Sequence, residues 1–317
     1  MNKKKILITA GGTATAWHIS KIITEHFSDF FEIHLCDIND QELVASSIYA
    51  HHYYVVPPIA DPGYRKYMYE LLKNNHIDII IPLIDNDLYV FPSDDEDLND
   101  LGVISTAPEL NTVETLTDKK SMFHFLTSHQ ISTPMLYQIE DIEPNIQYAV
   151  KSMVGFGSRT FRILYGKDIE KNISPDDIIQ ELCIADKNNY EVTAEIFCYN
   201  GILRVFCRER IETKSGVCTK MKPIDDSEIL SSIQKLTSVI SCPRAFCVQF
   251  MRNNGHWSII DCNLRLGAGT AMSSAIGFQL TRALLTTLLN QLPPDDFFQI
   301  NHAVKSVLRV YDEVKIV

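Results

Sequence analysis

An Asn-Gly dipeptide between two short apolar runs constrains this chain more than any other local feature. Asn254-Gly255 separates residues 245–251 from residues 257–262, and Asn-Gly between β-type runs is the strongest short-range hairpin signal. Alternate residues of a strand share a face. Gln249 therefore sits on one strand, while Asp261, Asn263 and Arg265 line up at i, i+2 and i+4 on its partner. An amide, a carboxylate, a second amide and a guanidinium then occupy one surface. Oxygen donors of this kind suit Mg²⁺, which takes one or two carboxylates plus substrate phosphates and waters. An arginine two residues further on suits a phosphate. The same pattern also describes a surface hairpin whose polar face meets water. What separates the two readings is whether the rest of the chain supplies a nucleotide site.

The first 110 residues or so alternate strand and helix patterns. Strands are expected at 5–10, 32–37, 53–57 and 77–83, with helices at 16–27 and 64–74. The 77–83 run is almost continuously apolar, as in a strand buried on both faces. Such alternation implies a parallel sheet that binds ligands at the carboxyl ends of its strands. Gly11-Gly12-Thr13 and the 82–87 loop fall at such ends, which makes Gly11, Gly12, Asp85 and Asp87 candidate substrate residues. The glycine turn invites a dinucleotide reading with Asp37 on a ribose, but the third glycine of G-x-G-x-x-G is absent. Asp85 and Asp87 either hold a cationic group of a substrate or cap the segment that follows. The acid-rich run 94–100 reads as a solvated face. The histidines, His51-His52 included, show no ligand spacing and read as structural.

Further along, Asp118 is a plausible cap for a helix carrying Met122, Phe123, Phe125 and Leu126, which breaks near His129. A strand at 148–151 ends on Lys151 and is followed by Gly155-Phe156-Gly157-Ser158-Arg159. A Gly-x-Gly-Ser turn after a strand lets backbone N–H groups close over phosphate oxygens, and Lys151 and Arg159 would add charge-assisted contacts. No Walker-type G-x-x-x-x-G-K-[ST] occurs. A strand at 191–197 turns at Gly201 into 203–208. Arg208, Arg210, Lys214, Gly216, Thr219 and Lys220 then form the densest basic cluster of the chain. A charged sheet edge that discourages strand pairing would look similar, but the phosphate-type loop favours anion binding. A helix at 279–289 and a strand at 303–310 complete the pattern.

Composition sharpens that choice. A net charge of −11 and a pI near 5.4 argue against a nucleic-acid or anionic-membrane surface, so a basic cluster here should be local and specific. No apolar run approaches the roughly 18 residues of a membrane span. The opening Met-Asn-Lys-Lys-Lys leads into a first strand rather than a signal peptide. The eight cysteines form no C-x-x-C pair and lie mostly in apolar runs, as expected for reduced thiols in a cytoplasmic protein. At 317 residues, two or three subdomains are expected.

In this order the landmarks resemble the ATP-grasp superfamily, particularly its carbamoyl-phosphate-synthase-like branch, over essentially the whole chain. The most specific likeness is Val248-Gln249-Phe250 with Asp261-Cys262-Asn263-Leu264-Arg265, similar to the family's V-Q-F…E-x-N-x-R. The resemblance implies an α/β fold: a Rossmann-like pre-ATP-grasp domain (1–112), an ATP-grasp N-terminal part with a small mobile lid (113–185), and a C-terminal part on a larger, mainly antiparallel sheet (186–317). It also implies ATP and Mg²⁺ as cofactors, with one or two ions and Mn²⁺ as a substitute, held by Gln249, Asp261 and Asn263. Lys119 (Lys120 if the register slips) and Lys151 would contact phosphates, and Gly155, Gly157 and Ser158 would form the lid loop. Glu181 and Leu182 fall at the hinge beside adenine, Glu191 at the ribose, and Arg208 and Arg210 on the R-x-R strand facing the acyl phosphate. Arg265, Arg210 and Lys151 are the catalytic candidates, and Gly267 joins the substrate group.

Two residues depart from the pattern. Ser152 replaces the proline after the lid lysine, and Asp261 replaces a metal-bridging glutamate with an acid one methylene shorter. The implied reaction joins a small-molecule carboxylate to an amine through an acyl phosphate, releasing ADP and phosphate. Asp85 and Asp87 hint at an amino acid as one substrate. The alternatives are an enzyme that passes an acyl or carbamoyl phosphate on, or a nucleotide-binding subunit with weak catalysis. A homodimer is a family-level expectation.

Overall fold

The computed structural model describes residues 2–152, 161–184 and 190–316. The glycine turn at 155–158 and the polar turn at 186–189 lie outside the described residues. The chain begins with an all-parallel sheet made of β1 (Lys4–Ile8), β2 (Phe31–Asp37), β3 (His52–Val55), β4 (Ile79–Ile81) and β5 (Ile104–Ser105). Its order is β3-β2-β1-β4-β5, and α1 (Ala14–His26), α2 (Tyr64–Asn74), α3 (Asp85–Val90) and α4 (Glu96–Leu101) lie between the strands. As expected of a strand covered on both sides, Ile79 and Ile81 pack into one core while Ile80 packs into another. Helix α1 starts where Thr13 accepts a hydrogen bond from the Ala16 amide at 3.1 Å, a side-chain cap of the usual kind.

Helices α5 (Leu110–Thr117) and α6 (Lys119–Ser128) lead to a four-stranded antiparallel sheet. It comprises β6 (Leu136–Tyr137), β7 (Gln147–Ser152), β8 (Arg162–Tyr165) and β9 (Asp177–Glu181), with α7 (Gly166–Asn172) after β8. The order is β6-β9-β7-β8. The third sheet is six-stranded and antiparallel, built from β10 (Val192–Tyr199), β11 (Ile202–Lys214), β12 (Val217–Ile224), β13 (Ala245–Asn253), β14 (His256–Asn263) and β15 (Val307–Leu308). Helices α8 (Ser227–Thr237), α9 (Thr270–Ser274) and α10 (Leu280–Leu288) accompany it, and its order is β14-β13-β10-β11-β12-β15.

This last sheet has two unlike faces. Val192, Ala194 and Ile196 of β10 and Phe246, Val248 and Phe250 of β13 pack with Ile229, Ile233 and Leu236 of α8 in one apolar cluster. Residues one position out of phase face the other way, and that face carries the polar site. At its far end, Phe206 and Met221 share a core with Ile19 and Ile23 of α1 and with Leu280 and Leu284 of α10. The parallel sheet and the six-stranded sheet are therefore joined through one hydrophobic core. Gly277 fixes the entry to α10. Its φ is +110°, and a Cβ there would lie 2.1 Å from the Gln299 carbonyl oxygen.

Three expectations needed revision. The run at 94–100 is more than a solvated face: Asp95 caps α4 by accepting from Leu98 N, and Asp95 and Asp97 both pair with Arg65. Strand β11 continues to Lys214, well past position 208, because β12 pairs along its whole second half. The final strand shrinks to Val307–Leu308, paired with Lys220 and Met221 at the sheet edge, with one further backbone bond from Arg309 N to the Thr219 carbonyl. Among the described residues, no helix is long and apolar enough to cross a membrane, and all eight cysteines are free.

The Asp226 carboxylate joins α8 to the hairpin. One oxygen caps the helix by accepting from Glu228 N (3.0 Å) and Ile229 N (3.3 Å), and the other accepts from the indole of buried Trp257 at 2.7 Å. Replacing Asp226 with Ala removes the cap and strands a buried N–H. The expected loss of stability is about 2–4 kcal/mol, read as a lower midpoint in chemical denaturation. A loss below about 0.5 kcal/mol would show that the carboxylate does not perform this double role.

Candidate functional site

The hairpin forms as its sequence requires. Asn254 and Gly255 take φ values of +50° and +87°, the left-handed pair of a two-residue turn, and Asn253 pairs with His256 across it. Gln249 stands directly opposite Asp261 and Cys247 opposite Asn263, so the amide, carboxylate and second amide share a face. Arg265 lies just beyond the strand end. The ladder also contains a bulge: Phe250 pairs with Ile259 and Gln249 with Asp261, leaving Ile260 unpaired. Bulges of this kind re-aim backbone groups and recur beside active sites. Here the spare Ile260 carbonyl accepts from Lys151 Nζ at 3.4 Å.

The second lysine arrives from another element. Asp118 caps α6 by accepting from Ser121 N at 2.7 Å, which leaves Lys119 as the first helical residue. Its ammonium lies 3.6 Å from Asp261 Oδ1. Asn263 Nδ2 donates to the other Asp261 oxygen at 3.3 Å. The arrangement fits Mg²⁺ in donor chemistry, since one carboxylate and two amide groups share a surface with room left for phosphate oxygens and water. Lys119 thus pairs with Asp261 from α6, while Lys151 of the small sheet donates to the neighbouring Ile260 carbonyl within range of the same charge. Burial lowers the Lys151 pKa to about 8, Asp261 opposes that shift and Lys119 adds to it.

Three arginines around the site are already matched. Arg265 donates from Nε to Asp85 at 2.7 Å, and more weakly from Nη2 to Asn263 Oδ1 at 3.4 Å. Arg210 pairs with Glu191. Arg208, only 3% exposed, donates to the fully buried Glu195 at 2.6 Å. Gly269 lies flat over that guanidinium, and a Cβ there would be 1.9 Å from Arg208 Nη2. Among the described residues, neither Glu195 Oε2 nor Arg208 Nε has a hydrogen-bond partner.

These contacts show where the structure places the other expected site residues. Asp87 does not face a ligand: it is 1% exposed, and its oxygens accept from Thr9 (2.6 Å) and Tyr64 (2.8 Å). Burial raises its pKa to about 6 against those hydrogen bonds. Asp85 is the counter-ion of Arg265, so the acidic pair offers no ready seat for a substrate ammonium. Asp37 is not a free ribose acid, because it accepts from Gly12 N (2.7 Å) and from Asn39 N and Nδ2. Gly11 and Gly12 pack against Leu35 and Asp37 respectively. Arg208 is turned into the protein by Glu195, and Glu191 is engaged by Arg210. Glu181 accepts from Asn253 (2.5 Å) and Asn254 (3.2 Å) and so holds the hairpin turn, with Leu182 following directly. Gly155, Gly157 and Ser158 lie outside the described residues. Gly267 lies against Cys247, where a Cβ would be 3.1 Å from its Sγ.

Glu195 and Cys247 escaped the sequence reading although both lie on the polar face. Alternation would have found them, since Glu195 follows Glu191 and Thr193 by twos, and Cys247 precedes Gln249 by two. The Ile260 bulge left no such signal.

The Lys151 shift has a definite sign. Between pH 8 and about 10, the unfolded chain holds a proton that the folded protein lacks, so this group favours folding increasingly as pH rises through that window. Lysine-labelled NMR should show one ammonium titrating near pH 8. Replacing Asp261 with Asn removes the attraction that opposes the shift, and should move that titration lower still. A Lys151 signal at the ordinary lysine position would contradict this placement.

Comparison with known proteins identifies the architecture. A family model described as the PylC-like N-terminal domain matches residues 6–106. No curated protein matches the sequence. Among solved structures, N5-carboxyaminoimidazole synthetase from Staphylococcus aureus complexed with ADP aligns at 15% identity and TM-score 0.73, over 92% of this chain and 79% of that one. A biotin carboxylase–ATP-type complex from Campylobacter jejuni aligns at 13% identity and TM-score 0.74, over 94% and 74%. Rhizobium etli pyruvate carboxylase with acetyl coenzyme A aligns at 12% identity and TM-score 0.73, over 94% of this chain but only 30% of that one. The chain thus spans less than a third of that carboxylase. At these identities the likeness concerns the fold: a parallel-sheet unit followed by a small and a larger antiparallel sheet.

Proposed function

We propose that this chain is an ADP-forming ligase that activates a carboxylate with ATP and joins it to an amine. One observation carries the reading. Arg208, Arg210 and Arg265 each have a carboxylate partner, whereas Lys119 and Lys151 share the single charge of Asp261. A half-buried positive excess in a protein of net charge −11 is a local, built-in attraction for a polyanion. The nucleotide complexes among the solved structures of this fold support ATP as that polyanion.

In this reading, Gln249, Asp261 and Asn263 would hold Mg²⁺, which would supply charge neutralisation on the triphosphate. Lys119 and Lys151 clamp phosphate oxygens. The substrate carboxylate attacks the γ-phosphorus in line and displaces ADP, and Arg265 stabilises charge developing on the transferred phosphoryl group. Arg210 is a further candidate for that role if Glu191 releases it. The amine then attacks the acyl carbon and displaces phosphate. Chemistry of this type rests on positioning and charge and needs no protein nucleophile. The proposed division is 1–112, 113–185 and 186–317, with the lid carrying Gly155, Gly157 and Ser158 over the phosphates and the Glu181–Leu182 hinge beside the base. The engagement of Asp85 and Asp87 removes the argument for an amino-acid substrate, so the proposal stops at the class of carboxylate and amine.

The test is ³¹P NMR of the protein with ATP, Mg²⁺ and a pool of carboxylates and amines. ADP and phosphate should appear only with the pool. Lys151→Ala and Asn263→Ala should each lower the rate by about 10²-fold or more while leaving the thermal transition in place. AMP and pyrophosphate would overturn the mechanism, and unchanged rates in both variants would overturn the site.

A further inference from the structure

We propose that Glu32, His34 and His52 form a binding site for a divalent transition-metal ion, best suited to Zn²⁺, on the outer strands of the parallel sheet. Strands β2 and β3 pair in parallel with His34 opposite His52, and Glu32 shares their face because it precedes His34 by two. Glu32 Oε1 lies 2.9 Å from His34 Nε2 and 3.4 Å from His52 Nε2. The three potential ligand atoms all fall within 4.8 Å of one another. Zn²⁺ at ordinary bond lengths of about 2.0–2.1 Å holds tetrahedral ligands roughly 3.3–3.5 Å apart. The His34 and His52 rings are stacked with centroids 4.6 Å apart, so the exposed His52 ring must rotate about its side-chain bonds to bring its nitrogen onto the shared ion.

The hydrogen-bond directions carry the inference further. The Asn75 amide is oriented by its Nδ2, which donates to the Leu71 carbonyl at 2.9 Å, so its Oδ1 faces Tyr54. Tyr54 donates its only hydroxyl proton to that oxygen at 2.9 Å. The Tyr54 oxygen lies 2.8 Å from His34 Nδ1 and must therefore accept, which places a proton on Nδ1. In the neutral ring, Nε2 is then a lone pair aimed at a carboxylate oxygen 2.9 Å away. Two acceptors at that separation require a cation between them, either a second proton or a metal ion. His52 supplies a third ligand atom beside the same oxygen, and a lone proton has no use for it. Tyr54 and Asn75 form the outer hydrogen-bond relay that orients a ligating imidazole in metal sites. Two imidazoles and one carboxylate select a transition ion over Mg²⁺ or Ca²⁺. With the His52 side chain 55% exposed, a fourth position is open to water. The site would fasten the edge strand β3 to β2 at the end of the sheet away from Asp37.

The test uses the full chain after EDTA treatment and dialysis, titrated with Zn²⁺ by calorimetry and with Co²⁺ by visible absorption. One equivalent should bind. His52→Ala and Glu32→Gln should abolish that equivalent, Tyr54→Phe should weaken it about tenfold or more, and Asp261→Asn should leave it unchanged. His52 is exposed, so its variant keeps the fold, which circular dichroism checks. No stoichiometric Zn²⁺ uptake, or uptake that survives both ligand variants, would overturn the site. So would a His34 ring that NMR shows protonated on both nitrogens in the presence of Zn²⁺, because the intervening cation would then be the proton.

Discussion

The polar site turns on the sharing of one carboxylate by two lysines. Asp261 draws Lys119 from the first turn of α6, and it also sustains the charge of Lys151, which burial works to remove. The Asn254-Gly255 turn and the bulge at Ile260 fix where that carboxylate lies. Among the described residues, the small sheet reaches the hairpin through Lys151 of β7 and through Glu181 of β9, which holds the turn.

Much of this was legible because a strand's side-chain period is exacting. Asp261 and Asn263 share a face by parity, and Asp118 announces the helix that delivers Lys119, but Gln249 joins that face only because the Ile260 bulge shifts the register by one. Partner choice was far less legible. Nothing in the sequence distinguishes an Asp85 that waits for a substrate amine from one that neutralises Arg265, which is 180 residues away. Asp87 reads like Asp85, yet two positions along the helix take it from the site into the core beside Thr9 and Tyr64. Likewise Arg208 and Arg210 look like two free anion ligands until β10 sets Glu195 and Glu191 beside them. The histidines show the same limit: ligand spacing within a segment cannot reveal a cluster whose members come from adjacent strands.

The paired arginines also differ in what they can do. Arg208–Glu195 is sealed from water and overlaid by Gly269, and breaking such a pair typically costs about 3–5 kcal/mol because the surviving charge stays buried. It is fitted to shape the floor of the site and to fix the loop that carries Gly267 and Gly269. Arg210 and Glu191 sit nearer the open side, and the Glu191 pKa is raised by burial despite the arginine beside it. That carboxylate is therefore less firmly charged than its partner, so an incoming anion could displace it from Arg210 more readily than it could reach Arg208.

Arg265 ties these levels together. Its Nε is held by Asp85 at the start of α3 in the parallel-sheet unit, and its Nη2 leans on Asn263 in the hairpin. The unit that begins the chain thus sets the charge balance of a guanidinium in the unit that ends it. An anionic group arriving at Arg265 must either share that guanidinium with Asp85 or move it aside, and sharing places two negative charges on one cation unless a metal ion or Lys151 offsets them. The same geometry favours an anion that brings Mg²⁺ with it over a bare carboxylate arriving first. Order of binding, on this view, follows from how few uncommitted positive charges the described residues of the site hold.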